Sequence, residues 1–88
     1  LKASKTVVIL NELGLHARPA AKLAKLAQSY KARIYLKKAG RTVEAASILD
    51  VLSLACAKGA EVEILAEGQE AQEAVEAIAS LLQNKDNL

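Results

Sequence analysis

Apolar and polar positions along the chain alternate between strand-like and helix-like periods, and the changes mark its elements. Thr6–Leu10 (TVVIL) is short, apolar and β-branched and runs into Asn11-Glu12-Leu13-Gly14, a turn composition, so it predicts a first strand. From Arg18 to Ser29 the apolar residues Ala20, Leu23, Ala24 and Ala27 recur at i, i+3, i+4 and i+7, with Lys22 and Lys25 between them. That spacing predicts an amphipathic helix starting near His16. Arg33–Lys37 and Arg41–Ala45 flank Lys38-Ala39-Gly40 and predict a hairpin, with Gly40 supplying a backbone angle that other residues resist.

Ser47 opens a second helical pattern with Ile48, Val51, Leu52 and Ala55 on one face. Lys58-Gly59 reads as its basic last turn and C-terminal glycine, which makes the helix about ten residues long. Glu61–Ala66 alternates polar and apolar as a half-buried strand does, and Glu67-Gly68 ends it. Glu70–Gln83 sets Ala71, Ala74, Val75, Ile78 and Leu82 on one stripe, with Glu70, Glu73 and Glu76 outside it, and predicts a third helix. Asn84–Leu88 reads as a frayed end.

The order βαββαβα predicts an α+β open-faced sandwich: a four-stranded antiparallel sheet with three helices on one face and water on the other. With 88 residues, 1–88 forms a single domain. Apolar residues make up 52% of the chain but include only two aromatics, Tyr30 and Tyr35, so the core is aliphatic. No run approaches the ~18 apolar residues of a membrane span, and the first residues lack a signal-peptide pattern, which together suggest a soluble cytoplasmic protein. The lone Cys56 has neither a disulfide partner nor metal-site spacing and reads as a small buried hydrophobe.

Net charge is +2, but residues 1–44 carry ten basic and two acidic side chains (+8) while residues 45–88 carry two basic and eight acidic ones (−6). The basic charges are dispersed and lack an aromatic platform, so no nucleic-acid partner is expected.

Gly14-Leu15-His16-Ala17-Arg18-Pro19 is where His, Arg, Gly and Pro crowd together. Pro19 suits a first helical turn, because the N–H groups of that turn lack internal partners anyway. His16 stands at the positive end of that helix, which favours anions, and the lone pair of a neutral imidazole can attack phosphorus. Once transferred, a phosphoryl group would meet the N–H groups at Ala17 and Arg18 and the Arg18 guanidinium. Taken locally, a histidine before a helix is more often a cap or a surface residue than a nucleophile. The chain also lacks a Walker-type loop and a Ser/His/Asp pattern, so neither a nucleotide-binding nor a hydrolase reading is supported.

The run Gly-Leu-His-Ala-Arg-Pro-Ala-Ala at 14–21 resembles the signature of the HPr family, histidine-containing phosphocarriers of the bacterial phosphotransferase system. Ala46-Ser47-Ile48-Leu49, Val51-Leu52-Ser53-Leu54, Ala57-Lys58-Gly59-Ala60-Glu61 and Ala66-Glu67-Gly68 resemble later blocks of that family in the same order. The resemblance implies a carrier rather than an independent catalyst, without metal or other cofactor and active as a monomer. His16 would accept a phosphoryl group from enzyme I, charged by phosphoenolpyruvate, and pass it to an enzyme IIA domain. Arg18 matches the family's phosphate-stabilising arginine, and Nδ1 is the phosphorylated nitrogen in the family. Asn11-Glu12-Leu13-Gly14-Leu15-His16 leans toward the nitrogen-related branch rather than the sugar-uptake carriers.

Ser47 satisfies an N-cap pattern with Asp50 three residues on, and it also matches the serine that HPr kinase/phosphorylase modifies in part of the family. The alternative that follows is a regulatory module of the same fold acting through Ser47 phosphate. Asp50 departs from the family's usual Gly or Lys and would repel such a phosphate; Gln28 stands where many relatives carry a basic residue. The docking surface is expected to include Ala20, Lys25, Leu49 and Leu52, a small apolar patch beside basic charge that suits brief contacts with acidic partners.

Overall fold

A computed structural model describes residues 1–85 of the chain. Its elements run β1 (Lys2–Val8), α1 (Ala17–Gln28), β2 (Arg33–Lys38), β3 (Arg41–Glu44), α2 (Ile48–Ser53), β4 (Glu61–Glu67) and α3 (Ala71–Leu82). The sheet order is β1-β4-β2-β3, antiparallel throughout. This is the expected open-faced α+β sandwich. Of the segment expected to fray, residues 86–88 lie outside the described residues.

Side-chain alternation divides the sheet into two faces. Val7, Ile34, Leu36, Val62, Ile64 and Ala66 are buried toward the helices. Thr6, Lys37 and Glu63, side by side in register, point away from them. The helices answer with small residues, Ala20, Ala24 and Ala27 on α1 and Ala71, Ala74 and Ala79 on α3, all buried. Short side chains let the backbone of α3 approach the sheet and that of α1 approach α2 and α3, while Leu23, Leu36, Ile64 and Ile78 fill the space between. Cys56 is buried among them as expected.

Two elements depart from the sequence reading. β1 starts at Lys2 rather than Thr6, because its backbone pairs with β4 along its whole length, Lys2 opposite Glu67 and Val8 opposite Glu61. Polar residues on the open face belong to that ladder as fully as apolar ones. The second departure is α2, which spans six residues rather than about ten. Ala55 turns to φ +53°, a left-handed conformation that ends the helix well before Gly59. On the expected apolar face, only Val51 is buried; Leu52 is half-buried, while Ile48 and Ala55 are exposed. Gly59 instead closes a turn in which its N–H donates to the Ile9 carbonyl.

The hairpin between β2 and β3 turns through Ala39 (φ +50°) and Gly40 (φ +83°), both left-handed, the combination a two-residue type I′ turn requires. Among the described residues no helix is long and apolar enough to cross a membrane.

Candidate functional site

The approach to His16 is built by the loop after β1. Asn11, buried although polar, accepts from the Leu13 N–H through Oδ1 (2.9 Å), and its backbone carbonyl accepts from the Gly14 N–H (2.9 Å). Gly14 then turns left-handed at φ +72° and passes so close to the next loop that a Cβ would lie 2.5 Å from the Cys56 carbonyl oxygen. Only glycine meets both conditions. Glycine here therefore serves close backbone packing as well as the sharp turn read from the sequence. The Leu15 N–H donates to that same Cys56 carbonyl at 2.8 Å, which anchors the residue preceding His16.

His16 is the N-cap of α1, with extended backbone (φ −85°, ψ −171°), and its carbonyl accepts the first helical hydrogen bond, from Ala20. Its side chain caps nothing. The N–H groups of Ala17 and Arg18 precede the first i−4 acceptor and have no intrahelical partner, and Pro19 has no N–H. No acidic residue lies in this first turn. Arg18 is exposed, and the ion pairs Lys2–Glu67, Lys5–Glu76 and Lys58–Glu12 do not involve it. The positive helix end, two open donors and a guanidinium thus meet at one point, an arrangement suited to an oxyanion.

The ring is half-buried rather than fully exposed. It borders a depression of about 330 Å³ lined by Leu13, Leu15, Leu52, Ala55, Cys56 and Ala57. Its Nε2 is covered and has no hydrogen-bond partner among the described residues. Burial pushes the Cys56 thiol above the ordinary thiol range, with the Lys38 ammonium pulling weakly the other way, so this wall of the depression is uncharged at neutral pH.

Around the ring the expected docking residues separate. Leu49 is 79% exposed and Lys25 is exposed, two helical turns beyond Arg18 on the same stripe of α1. Leu52 is half-buried and lines the depression. Ala20 is a correction: it is fully buried, because the apolar stripe of α1 faces the core, and it can touch no partner. Leu13, 70% exposed beside His16, was missed by the sequence reading. Its signal was an apolar residue stranded inside a polar turn.

Ser47 caps α2 as expected: its Oγ accepts from the Asp50 N–H at 3.2 Å. The cap is one-way, since the Ser47 N–H donates to the Glu44 carbonyl and not to the Asp50 carboxylate. Gln28 donates to the Ala46 carbonyl at 3.3 Å and ties the end of α1 to the entry of α2.

Comparison with known proteins identifies the family. The PTS-HPr family, described as the PTS HPr component phosphorylation site, matches residues 3–84. The phosphocarrier protein NPr of Klebsiella oxytoca is 43% identical over 82 residues, covering 92% of this chain and 91% of that protein. The phosphocarrier protein HPr of Cupriavidus necator is 38% identical over 81 residues, again 92% of this chain and 91% of the relative. Relatives of both names match at comparable identity, so overall similarity does not separate the two branches. A crystal structure of a phosphocarrier protein HPr from Bacillus anthracis superposes with a TM-score of 0.90 at 40% identity, covering 93% of this chain and 98% of that one. The chain belongs to the HPr family, and is a phosphoryl carrier of the phosphotransferase system rather than an independent catalyst.

Proposed function

We propose that His16 is the phosphoacceptor and that its Nδ1 forms the bond to phosphorus. The observation that carries the reading is the start of α1: a histidine whose Nε2 is covered stands over two N–H groups without helical acceptors and beside an exposed arginine. With one ring nitrogen covered, the other is left for an incoming group. Its lone pair attacks phosphorus as the bond to the donor's leaving group breaks. The Ala17 and Arg18 N–H groups and the Arg18 guanidinium then hold the transferred oxygens. They hold charge without enclosing it, so the group can leave again.

Enzyme I is the donor and an enzyme IIA domain the acceptor on this reading. Leu13, Leu49 and Leu52 supply the apolar contact, and Lys25 and Arg18 the attraction to acidic partners. Every group named lies in one chain, so a monomer suffices. Phosphoenolpyruvate, the source of the group, puts the protein in the cytoplasm. Ser47 serves α2 as its cap; HPr kinase/phosphorylase would have to withdraw the hydroxyl from that bond and add charge beside Asp50.

The test is incubation of the pure protein with enzyme I and labelled phosphoenolpyruvate. Acid-labile label that is absent from His16→Ala is the expected result. An intact protein that takes no label, or a His16→Ala variant that still takes it, overturns the assignment.

A further inference from the structure

We infer that Lys38, on the far hairpin and outside the phosphoryl-binding segment, is a positioning residue for His16, acting through the bend that ends α2. The inference rests on the carrier role proposed for His16. Lys38 Nζ donates to two successive carbonyls, those of Leu54 and Ala55, each at 2.9 Å. These belong to the C-cap of α2 and to the residue after it, where Ala55 adopts the left-handed φ of +53° that L residues avoid. One ammonium across two adjacent carbonyls holds them turned the same way. It therefore supports a bend that an alanine would not choose alone.

The next carbonyl along the chain belongs to Cys56. It accepts from the Leu15 N–H at 2.8 Å, and Gly14 packs against it with no room for a Cβ. Leu15 precedes His16, and Ala55 and Cys56 line the depression that the ring borders. A continuous path thus runs from the Lys38 ammonium to the Leu54 and Ala55 carbonyls, the Cys56 carbonyl, the Leu15 amide and the His16 backbone. Phosphoryl transfer requires the attacking nitrogen to be aligned to within a fraction of an ångström, so freedom in the Cys56 peptide becomes error at the ring.

The same hairpin contains a built-in control. Arg41 also caps α2, through Nη1 to the Ser53 carbonyl (2.9 Å) and Nη2 to Ser53 Oγ (3.1 Å), but it stops one residue short of the bend. A purely structural role would make the two residues equivalent; positioning makes them different.

The experiment compares Lys38→Met, Lys38→Arg and Arg41→Met in two readouts: phosphoryl transfer from enzyme I at saturating carrier, and hydrogen exchange of the Leu15 amide in the unphosphorylated protein. Lys38→Met is expected to lower the maximal transfer rate about tenfold and to deprotect the Leu15 amide. Lys38→Arg, which keeps two charged donors, restores both, and Arg41→Met stays within about twofold of the parent rate. Equal slowing by Lys38→Met and Arg41→Met, or an unchanged rate and Leu15 protection in Lys38→Met, overturns the inference. If Lys38→Met does not fold, Lys38→Gln, with a neutral donor, is expected to shift both readouts in the same direction by less, and no shift counts against the proposal. Should the parent protein take no label, the carrier reading fails, while Leu15 exchange still decides whether Lys38 fixes the bend.

Discussion

Helices α1 and α2 begin in opposite ways. At α2 the hydroxyl of Ser47 occupies the Asp50 N–H and an acidic side chain sits in the first turn, so the positive helix end is answered from within. At α1 the residue in the cap position is His16, which caps nothing, no acid follows, and the Ala17 and Arg18 N–H groups lack helical acceptors. A missing cap costs about 1 kcal/mol. The chain forgoes that stability where a visiting anion can take the place of a cap, and keeps it where a short helix needs support.

The largest expected effect comes from giving α1 the cap of α2. His16→Ser should abolish labelling by enzyme I and phosphoenolpyruvate while raising unfolding stability by about 1 kcal/mol in urea titration. Lost labelling with no gain in stability would break the contrast between the two helix starts.

Arg18→Ala should slow transfer about tenfold, the order expected from losing one charge-assisted contact to the phosphoryl oxygens, with stability changed by less than about 0.5 kcal/mol because the side chain is exposed. Rapid-quench kinetics alongside a thermal melt separate the two. Ser47→Ala should do the reverse, lowering stability by about 1 kcal/mol and leaving His16 labelling in place. A carrier that lost labelling with Ser47 would show that the two helix starts act together.

The smallest effect concerns the wall shared by the site and the core. Burial raises the folded Cys56 pKa above its unfolded value, so at alkaline pH the unfolded state releases the thiol proton first. The contribution is therefore complete below the unfolded thiol range and is lost as pH climbs toward the folded value. Melting temperature should fall more steeply with rising alkaline pH in the parent protein than in Cys56→Val, measured by circular dichroism.

Much of this was legible in the chain itself. The 3.6-residue stripes of α1 and α3, the alternation in β4 and the Gly40 turn rest on contacts a few residues apart, and they placed the boundaries they set within a residue or two. Pro19 marked the start of the helix that His16 precedes because the constraint is local to its own ring. The Ser47 cap was equally local.

What failed was decided at a distance. α2 stops at Ser53 where its pattern continues, because Ala55 bends away under the Lys38 ammonium, sixteen and seventeen residues back along the chain from the carbonyls it holds. Ala20 carries no mark in the sequence to separate a docking alanine from a core alanine, since its burial depends on which way the stripe of α1 faces. The covered Nε2, the exposed Leu13 and the glycine that meets the Cys56 carbonyl exist only once the 11–18 and 54–57 segments are side by side. Periodicity, turn chemistry and the His-Ala-Arg-Pro run were therefore enough to determine the elements and to single out His16 as the candidate phosphoacceptor, because each depends on neighbours in the chain. Which ring nitrogen is covered, how far α2 extends and which residues are exposed were left to the tertiary structure, because hydrogen bonds and burial between remote segments leave no spacing to read.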